Sequence, residues 1–257
     1  MDTLILERAG NGVATLTLNR PAKKNAINAR MWDELLEVFA EIGESTSDRV
    51  LVITGAGDAF CSGADLAGEA EADRHQLQRM HHFNRVGLAL HAIPKPVLAK
   101  INGVAVGAGL NLALGCDLVV ASDRARFSEI FARRGLSLDL GGSWLLPRLV
   151  GLHKAKELAL LADILDAKEA ERIGLVNRVV AHDELDAFVD DWAARLAAGP
   201  PLALAMSKRM LTNAFSVTLS EALDAEAMAQ SVNVASKDTR EAIAAFLEKR
   251  EAVFRGR

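Results

Sequence analysis

The chain has 257 residues, half of them hydrophobic and a quarter charged, with a formal net charge of −4 and a sequence pI of about 5.9. That is enough chain to bury a core without disulfide or metal staples. A mildly acidic balance with no Lys/Arg block gives no electrostatic reason to expect nucleic acid or an anionic membrane as partner.

No apolar run reaches the length of a bilayer span. Acid occurs at Asp2 with no apolar segment behind it, so a cytoplasmic location is expected. Cys61 and Cys116 are too few for a disulfide framework and lack ligand spacing, so both read as reduced, buried small residues and no metal site is expected.

Residues 2–8 and 12–18 read as strands joined at Gly10-Asn11-Gly12, where Asn-Gly accommodates the positive φ of a tight hairpin turn. Asn28 is a candidate cap for a helix whose apolar face includes Met31, Leu35, Val38, Phe39 and Ile42. Residues 50–54 form a continuous β-branched run, the pattern of a strand covered on both faces. A polar helix is expected at about 69–91, then a strand over 97–105, a turn at Gly107-Ala108-Gly109 and a helix opening at 110–114. Residues 118–121 read as strand, 153–162 and 167–173 as helix, and 175–180 as a last short strand. Strands alternating with helices make the core α/β. The pair Pro200-Pro201 breaks the chain, because proline forbids helix continuation and restricts its neighbour. The expected division is therefore 1–199 as core and 200–257 as a helical region.

Two glycine turns invite a nucleotide reading, but neither completes Gly-x-Gly-x-x-Gly. Phe60 stands at the sixth position of the first and Leu112 at that of the second. What both turns offer is backbone N–H groups, the second at a helix N-terminus that favours negative charge. From spacing alone they are either the halves of an oxyanion hole or simply tight strand-to-helix turns.

Longer motifs carry more. The segment Ala59-Phe60-Cys61-Ser62-Gly63-Ala64-Asp65-Leu66 resembles the "aFcaGaDl" loop of the crotonase (enoyl-CoA hydratase/isomerase) superfamily. Lys100-Ile101-Asn102-Gly103-Val104-Ala105-Val106-Gly107-Ala108-Gly109 resembles its "a-vnG-a-GgG" loop. Gly135, Gly141-Gly142 and Pro147-Arg148-Leu149-Val150-Gly151 resemble its "GL-p-GG---LpRlvG" segment, and Ala245-Phe246-Leu247-Glu248-Lys249-Arg250 its "af-eKR". The resemblance covers nearly the whole chain in the right order.

It implies a spiral of ββα units with a helical C-terminal trimerisation region, assembled as a homotrimer or homohexamer. It implies an acyl-CoA thioester as substrate, so that coenzyme A belongs to the substrate and no separate cofactor is needed. The donors to the thioester oxygen fall on the Ala64 and Ala108 amides. The CoA would lie along Lys24 and Ala26 and against Ser62, Asp65 and Leu66. Phe246 and Lys249 would reach it from a neighbouring subunit.

Hydratases of this family use two glutamates. Here those positions hold Asn111 and Phe131, and neither side chain can act as a base near neutral pH. Glu129 lies nearby, but its two-residue offset is expected to aim it elsewhere. Asp139 remains, in a loop where several family isomerases place an aspartate. Its stretch through Leu140-Gly141-Gly142-Ser143-Trp144 resembles the ring-epoxide phenylacetyl-CoA isomerases. Flanked by Leu138 and Leu140, this carboxylate is expected to be partly desolvated, with a raised pKa. The leading expectation is an isomerase with Asp139 as base and Asn111 as an orienting amide. An atypical hydratase or a non-catalytic acyl-CoA-binding protein are the alternatives. Arg133, Arg134 and Arg148 are expected in structural ion pairs, and Asp117 and Asp123 in turns. Met80, Phe83, Leu88 and Leu90 line an acyl pocket or belong to the core.

Overall fold

The computed structural model describes residues 1–66 and 75–257. The N-terminal hairpin forms, β1 (Leu4–Arg8) pairing antiparallel with β2 (Val13–Leu18), but positive φ falls on Gly10 and Gly12 and not on Asn11, whose side chain accepts the Val13 N–H at 3.1 Å. The Asn28 side chain caps α1 (Ala29–Glu44) by accepting the Met31 N–H at 3.0 Å, a contact worth about 1 kcal/mol. The expected apolar face is buried, and Trp32 and Glu34 join it.

β3 (Val50–Gly55) is buried along its whole length. Successive side chains point to opposite faces of a strand. Leu51 and Ile53 therefore enter the main core, while Val50 and Val52 meet Leu185, Val189 and Ala193 of α7 (Leu185–Ala198) behind the sheet. Cover on both sides is why the run is uniformly apolar.

From β3 onward one unit recurs. β3 is followed by β4 (Ala59–Cys61) and α2 (Gln76–Ala92), and then β5 (Val97–Ile101) by β6 (Val104–Val106) and α3 (Ala108–Leu114). β7 (Leu118–Ser122) is followed by β8 (Arg126–Ser128) and a 3₁₀ turn over Ile130–Arg134. The first strand of each unit joins one sheet and the second joins another. With β9 (Leu165–Asp166) and β10 (Arg178–Val180) the orders are β1-β2-β3-β5-β7-β10 and β4-β6-β8-β9. This is an α/β spiral of ββα units. α4 (Gly142–Val150), α5 (Leu152–Leu161) and α6 (Ala167–Arg172) lie between β8 and β10. After Pro200 come α8 (Pro201–Asn213), α9 (Leu219–Ala235) and α10 (Lys237–Glu248). Lys208 ties α8 to the core through the Lys95 carbonyl at 2.9 Å and Asp117 at 2.7 Å.

Three further expectations change. The single strand over 97–105 is two strands in two sheets, broken at Asn102-Gly103. There the Asn102 amide donates to the Gly55 and Gly57 carbonyls, both at 2.9 Å. The last strand shortens to residues 178–180, because Asn177 turns its side chain onto the Val119 N–H at 2.7 Å. The helix expected from 69 begins at Gln76, and the part of that expectation over 69–74 lies outside the described residues. Asp117 also does more than close a turn, since it accepts the Val97 N–H at 2.7 Å as well as pairing with Lys208.

The sheet-to-sheet step depends on Gly103, where a Cβ would lie 2.0 Å from the Asp58 carbonyl oxygen. Overpacking of this kind costs about 1–3 kcal/mol, and a rigid backbone obstacle puts it at the upper end. Gly103→Ala is therefore expected to lower the urea midpoint clearly, whereas Gly43→Ala, in helix α1 with nothing within 4 Å, is expected to hold or slightly raise it.

Candidate active site

Two turns build the floor of the site. β4 leads through Gly63, at φ +97, into a stretch running beside Ile27. The Ile27 N–H donates to the Gly63 carbonyl at 2.8 Å, and the Asp65 N–H to the Ile27 carbonyl at 2.9 Å. The amide between them, on Ala64, meets no backbone acceptor among the described residues. The second turn passes from β6 through Gly107, at φ +55, into α3, whose first residue is Ala108. A first-turn N–H has no intrahelical acceptor.

The turns touch. A Cβ on Gly63 would lie 3.1 Å from the Val106 carbonyl oxygen and 3.8 Å from the Ala108 nitrogen, and one on Gly109 would lie 2.5 Å from the Cys61 oxygen and 2.7 Å from its Sγ. Missing side chains at 63 and 109 thus bring the Ala64 and Ala108 peptides side by side. Two such donors in a sheltered site can hold developing negative charge on a carbonyl oxygen.

Two cavities flank the loop at 138–139. The first, about 500 Å³, is lined by Trp32, Ala64, Leu66, Met80, Phe83 and Asp139 among others. The second, about 560 Å³, includes Leu88, Leu90, Asn111, Asp139, Leu140 and Trp144. Met80 and Phe83 thus face one cavity, Leu88 and Leu90 the other, and Asp139 borders both. A larger groove of about 770 Å³ lies between α8 and α9, lined by Met206, Met210, Met228 and Val232, and contains none of the candidate catalytic side chains.

The Asp139 loop is held by its carbonyl, which accepts the Gly142 N–H at 2.8 Å and the Asn111 Nδ2 at 3.0 Å. The next residue, Leu140, adopts φ +46. That conformation costs a non-glycine residue about 1–2 kcal/mol, offset here by burial of the leucine side chain. Asp139 itself is half-buried, and its Oδ1 is enclosed without a hydrogen-bond partner. It neither caps α4 nor pairs with an arginine among the described residues. Burial pushes its carboxyl up to about 6, the direction expected from its leucine neighbours.

Glu129 departs from expectation. It is 1% exposed and turned inward beside Asn111 and Asp139, not aimed away. Neither carboxylate oxygen has a hydrogen-bond partner. Burial first, and then the Asp139 charge, push it up to about 8, offset in part by the Asn111 amide. It lines neither cavity. Phe131 is buried, and its ring carbons lie about 4 Å from where a Gly107 Cβ would stand, so it walls the second turn. The sequence signal for Glu129 was its place at the end of a buried strand. Only the turn after β8 decides which way it faces.

The remaining candidates fall into two groups. Lys24, exposed at φ +48, pairs with Asp58 at 3.2 Å, while its carbonyl accepts the Ser62 N–H at 2.9 Å. Arg20 joins the Ala26 carbonyl to Asp65, 2.9 Å from the carboxylate. The 24–26 segment and the 62–66 loop therefore form one rim beside Ala64. Phe246 and Lys249, at the end of α10, are exposed and line neither cavity. Arg133 pairs with Asp163 at 2.6 Å. Arg148 instead stacks on Trp144, 3.8 Å from the ring centre, with no ion pair among the described residues. His82 meets Asp33 at 2.9 Å. No cluster of three metal-ligating side chains occurs among the described residues, and no described helix is long and apolar enough to cross a membrane.

The geometry has counterparts in known proteins. The 1,2-epoxyphenylacetyl-CoA isomerase of Escherichia coli is 38% identical over the full length of both chains. The crotonyl-CoA hydratase of Syntrophomonas wolfei is 35% identical over 98% of each. An enoyl-CoA hydratase structure from Bacillus anthracis superposes with a TM-score of 0.94 at 31% identity, covering 99% of this chain and 100% of that one. The family model for enoyl-CoA hydratase/isomerase matches residues 8–257. With the spiral of ββα units and the paired glycine turns, these matches assign the chain to the enoyl-CoA hydratase/isomerase family of the crotonase superfamily.

Proposed function

We propose that this enzyme is an acyl-CoA isomerase that shifts a double bond, or rearranges a ring, in a CoA thioester, with Asp139 as its single base. The observation that carries the reading is the place of the Asp139 carboxyl. It borders both cavities, beside Asn111, and is partly withdrawn from water, in no ion pair among the described residues. The name of the Escherichia coli relative supports isomerase chemistry.

The thioester oxygen would accept from the Ala64 and Ala108 amides, which draws electrons from the carbonyl and acidifies the adjoining carbon. Asp139 takes a proton there. The bonding pair moves through the chain onto oxygen, and the two amides hold the resulting dienolate. The same carboxyl returns the proton two carbons further along, so no water enters and no electron is lost. A carboxyl raised towards neutrality serves both as base and as acid. Asn111 orients the Asp139 loop.

Hydration is the second reading, favoured by the relatives named as hydratases. It asks for two carboxyls in contact with substrate and water. Glu129, which lines neither cavity, does not meet that demand.

In this proposal Lys24, Ala26, Ser62, Asp65 and Leu66 form the CoA rim, and Phe246 and Lys249 complete it from another subunit. Residues 200–257 are the oligomerisation region of a homotrimer or homohexamer. In support, α8 and α9 bury no residue in the single chain, and Leu219, Met228 and Val234 are more than half exposed. Apolar faces of that kind mark interfaces. Light scattering is expected to give three or six times the chain mass, and a monomer at micromolar concentration removes this part.

Asp139→Asn keeps size and hydrogen bonding but loses the base. Isomerase turnover is expected to fall by about 10²–10⁴ with ligand affinity little changed. Because the base must be ionised, unmodified turnover should rise as pH increases through about 6. Ala108→Pro, which removes an amide donor, should cost about 10²–10³, and Ala108→Gly much less. Rapid hydration of crotonyl-CoA with no double-bond migration would overturn the isomerase reading.

A further inference from the structure

The mechanism above leaves Glu129 unused, although it is the most enclosed acid beside Asp139. Four buried acceptor atoms without partners gather here: both Glu129 oxygens, Asn111 Oδ1 and Asp139 Oδ1. An ionised Glu129 forms no hydrogen bond of good geometry and has only the attraction of the nearby Asn111 amide to set against its burial. A proton on Glu129 turns one acceptor into a donor and lets it pair with another. The amide of Asn111 already spends its Nδ2 on the Asp139 carbonyl at 3.0 Å, and it lies against Gly142, where a Cβ would come within 2.4 Å of it. Its orientation therefore bears directly on where the Asp139 loop sits.

We propose that Glu129 is a positioning residue that works as a neutral carboxylic acid, donating its O–H to Asn111 Oδ1 so that Asn111 Nδ2 holds the Asp139 loop in place. This rests on Asp139 being the base.

The proton belongs on Glu129 because Glu129 is wholly enclosed while Asp139 keeps part of its surface in the cavities. Among the described residues no cation faces Glu129 to favour ionisation. α3, β6 and the loop at 138–142, apart from Asp139, carry no other ionisable side chain. Arg126 of β8 donates to the Ala125 carbonyl, Arg133 pairs with Asp163, and Arg134 is exposed. In α4, Arg148 lies on Trp144; in α5, Lys154 pairs with Glu157, and His153 and Lys156 are exposed. The Asp139 carboxylate is the charge that acts on Glu129, and it opposes ionisation. With Asp139 near 6 and Glu129 near 8, the pair holds one proton in the neutral range, on Glu129.

Turnover is then a bell. It rises through about 6 as Asp139 ionises and falls through about 8 as Glu129 loses its proton and the relay to Asn111 opens. Glu129→Gln carries a donor at every pH, so its profile loses the falling limb. Glu129→Met fills a similar volume with no donor. Its turnover should lie about tenfold below that of Glu129→Gln, mostly in kcat with little change in KM, the scale of one lost hydrogen bond. A falling limb that survives unchanged in Glu129→Gln, or equal turnover of the Gln and Met variants, overturns the proposal.

Infrared difference spectroscopy of the unmodified protein decides the matter even if those variants do not fold. A protonated carboxylic acid should be present at neutral pH and disappear through about 8. In Asp139→Asn it should persist but titrate at lower pH, the repelling charge being gone. No such band at neutral pH refutes the neutral acid. If no CoA thioester is turned over, the reading of the reaction fails, while the band still decides for or against Glu129.

Discussion

The site depends on two backbone turns lying closer together than side chains allow. Gly109 rests on Cys61 of the neighbouring strand, and Gly63 faces the peptide that opens α3. A methyl group at Gly109 would push the two turns apart, and one at Gly63 would crowd the Val106 carbonyl at 3.1 Å on a backbone of φ +97. Everything chemical in the fold follows from that approach. The two sheets set the spacing of the turns, since β4 and β6 are parallel neighbours in the smaller sheet. The larger sheet, sealed behind by α7, supplies the rigid backing. The donor pair proposed for the thioester oxygen is built from peptide groups and needs no particular side chain, so alanines at 64 and 108 would suffice.

Two buried glutamates in this chain have opposite surroundings. Glu34 is fully enclosed, yet it accepts from the Asp2 and Thr3 amides and the Thr3 hydroxyl. Burial alone would raise its pKa, but those three bonds, together with the Arg30 guanidinium 3.0 Å away, hold it below the usual carboxylate range. It fastens the N-terminus to α1 as a charge. Glu129 is equally enclosed and has only the Asn111 amide near it, with no hydrogen bond formed, so the same burial drives it upward. Enclosure by itself does not decide protonation; the donor count does. The first glutamate is structural for a stated reason, and the second has a reason to hold its proton.

Much of this was legible from residues alone. The hairpin at Asn11-Gly12, the Asn28 cap and the doubly buried strand at residue 50 each rest on local chemistry that tertiary structure does not overrule. The loops around Ala64, Ala108 and Asp139 were legible as well, because their motifs carry turn glycines at fixed spacing. What escaped was set at longer range. The break at Asn102-Gly103 depends on carbonyls of residues 55 and 57, nearly fifty positions earlier. The inward turn of Glu129 depends on where a 3₁₀ segment, not a strand, follows β8. Arg148 finds an indole face, a choice visible only once Trp144 is one helical turn away. Periodicity reports which face of an element is apolar; it is silent on which element lies opposite.

The strand orders bear on how the molecule is made. In both sheets the order runs monotonically with chain position, so each new strand docks on the edge left by the one before. No later segment has to slip between two strands already paired. The nascent chain can therefore extend both sheets in the direction of synthesis, each at a single growing edge, as stacked-repeat proteins do. The helices after Pro200 emerge last, when the surface that anchors α8 through Lys208 is already in place.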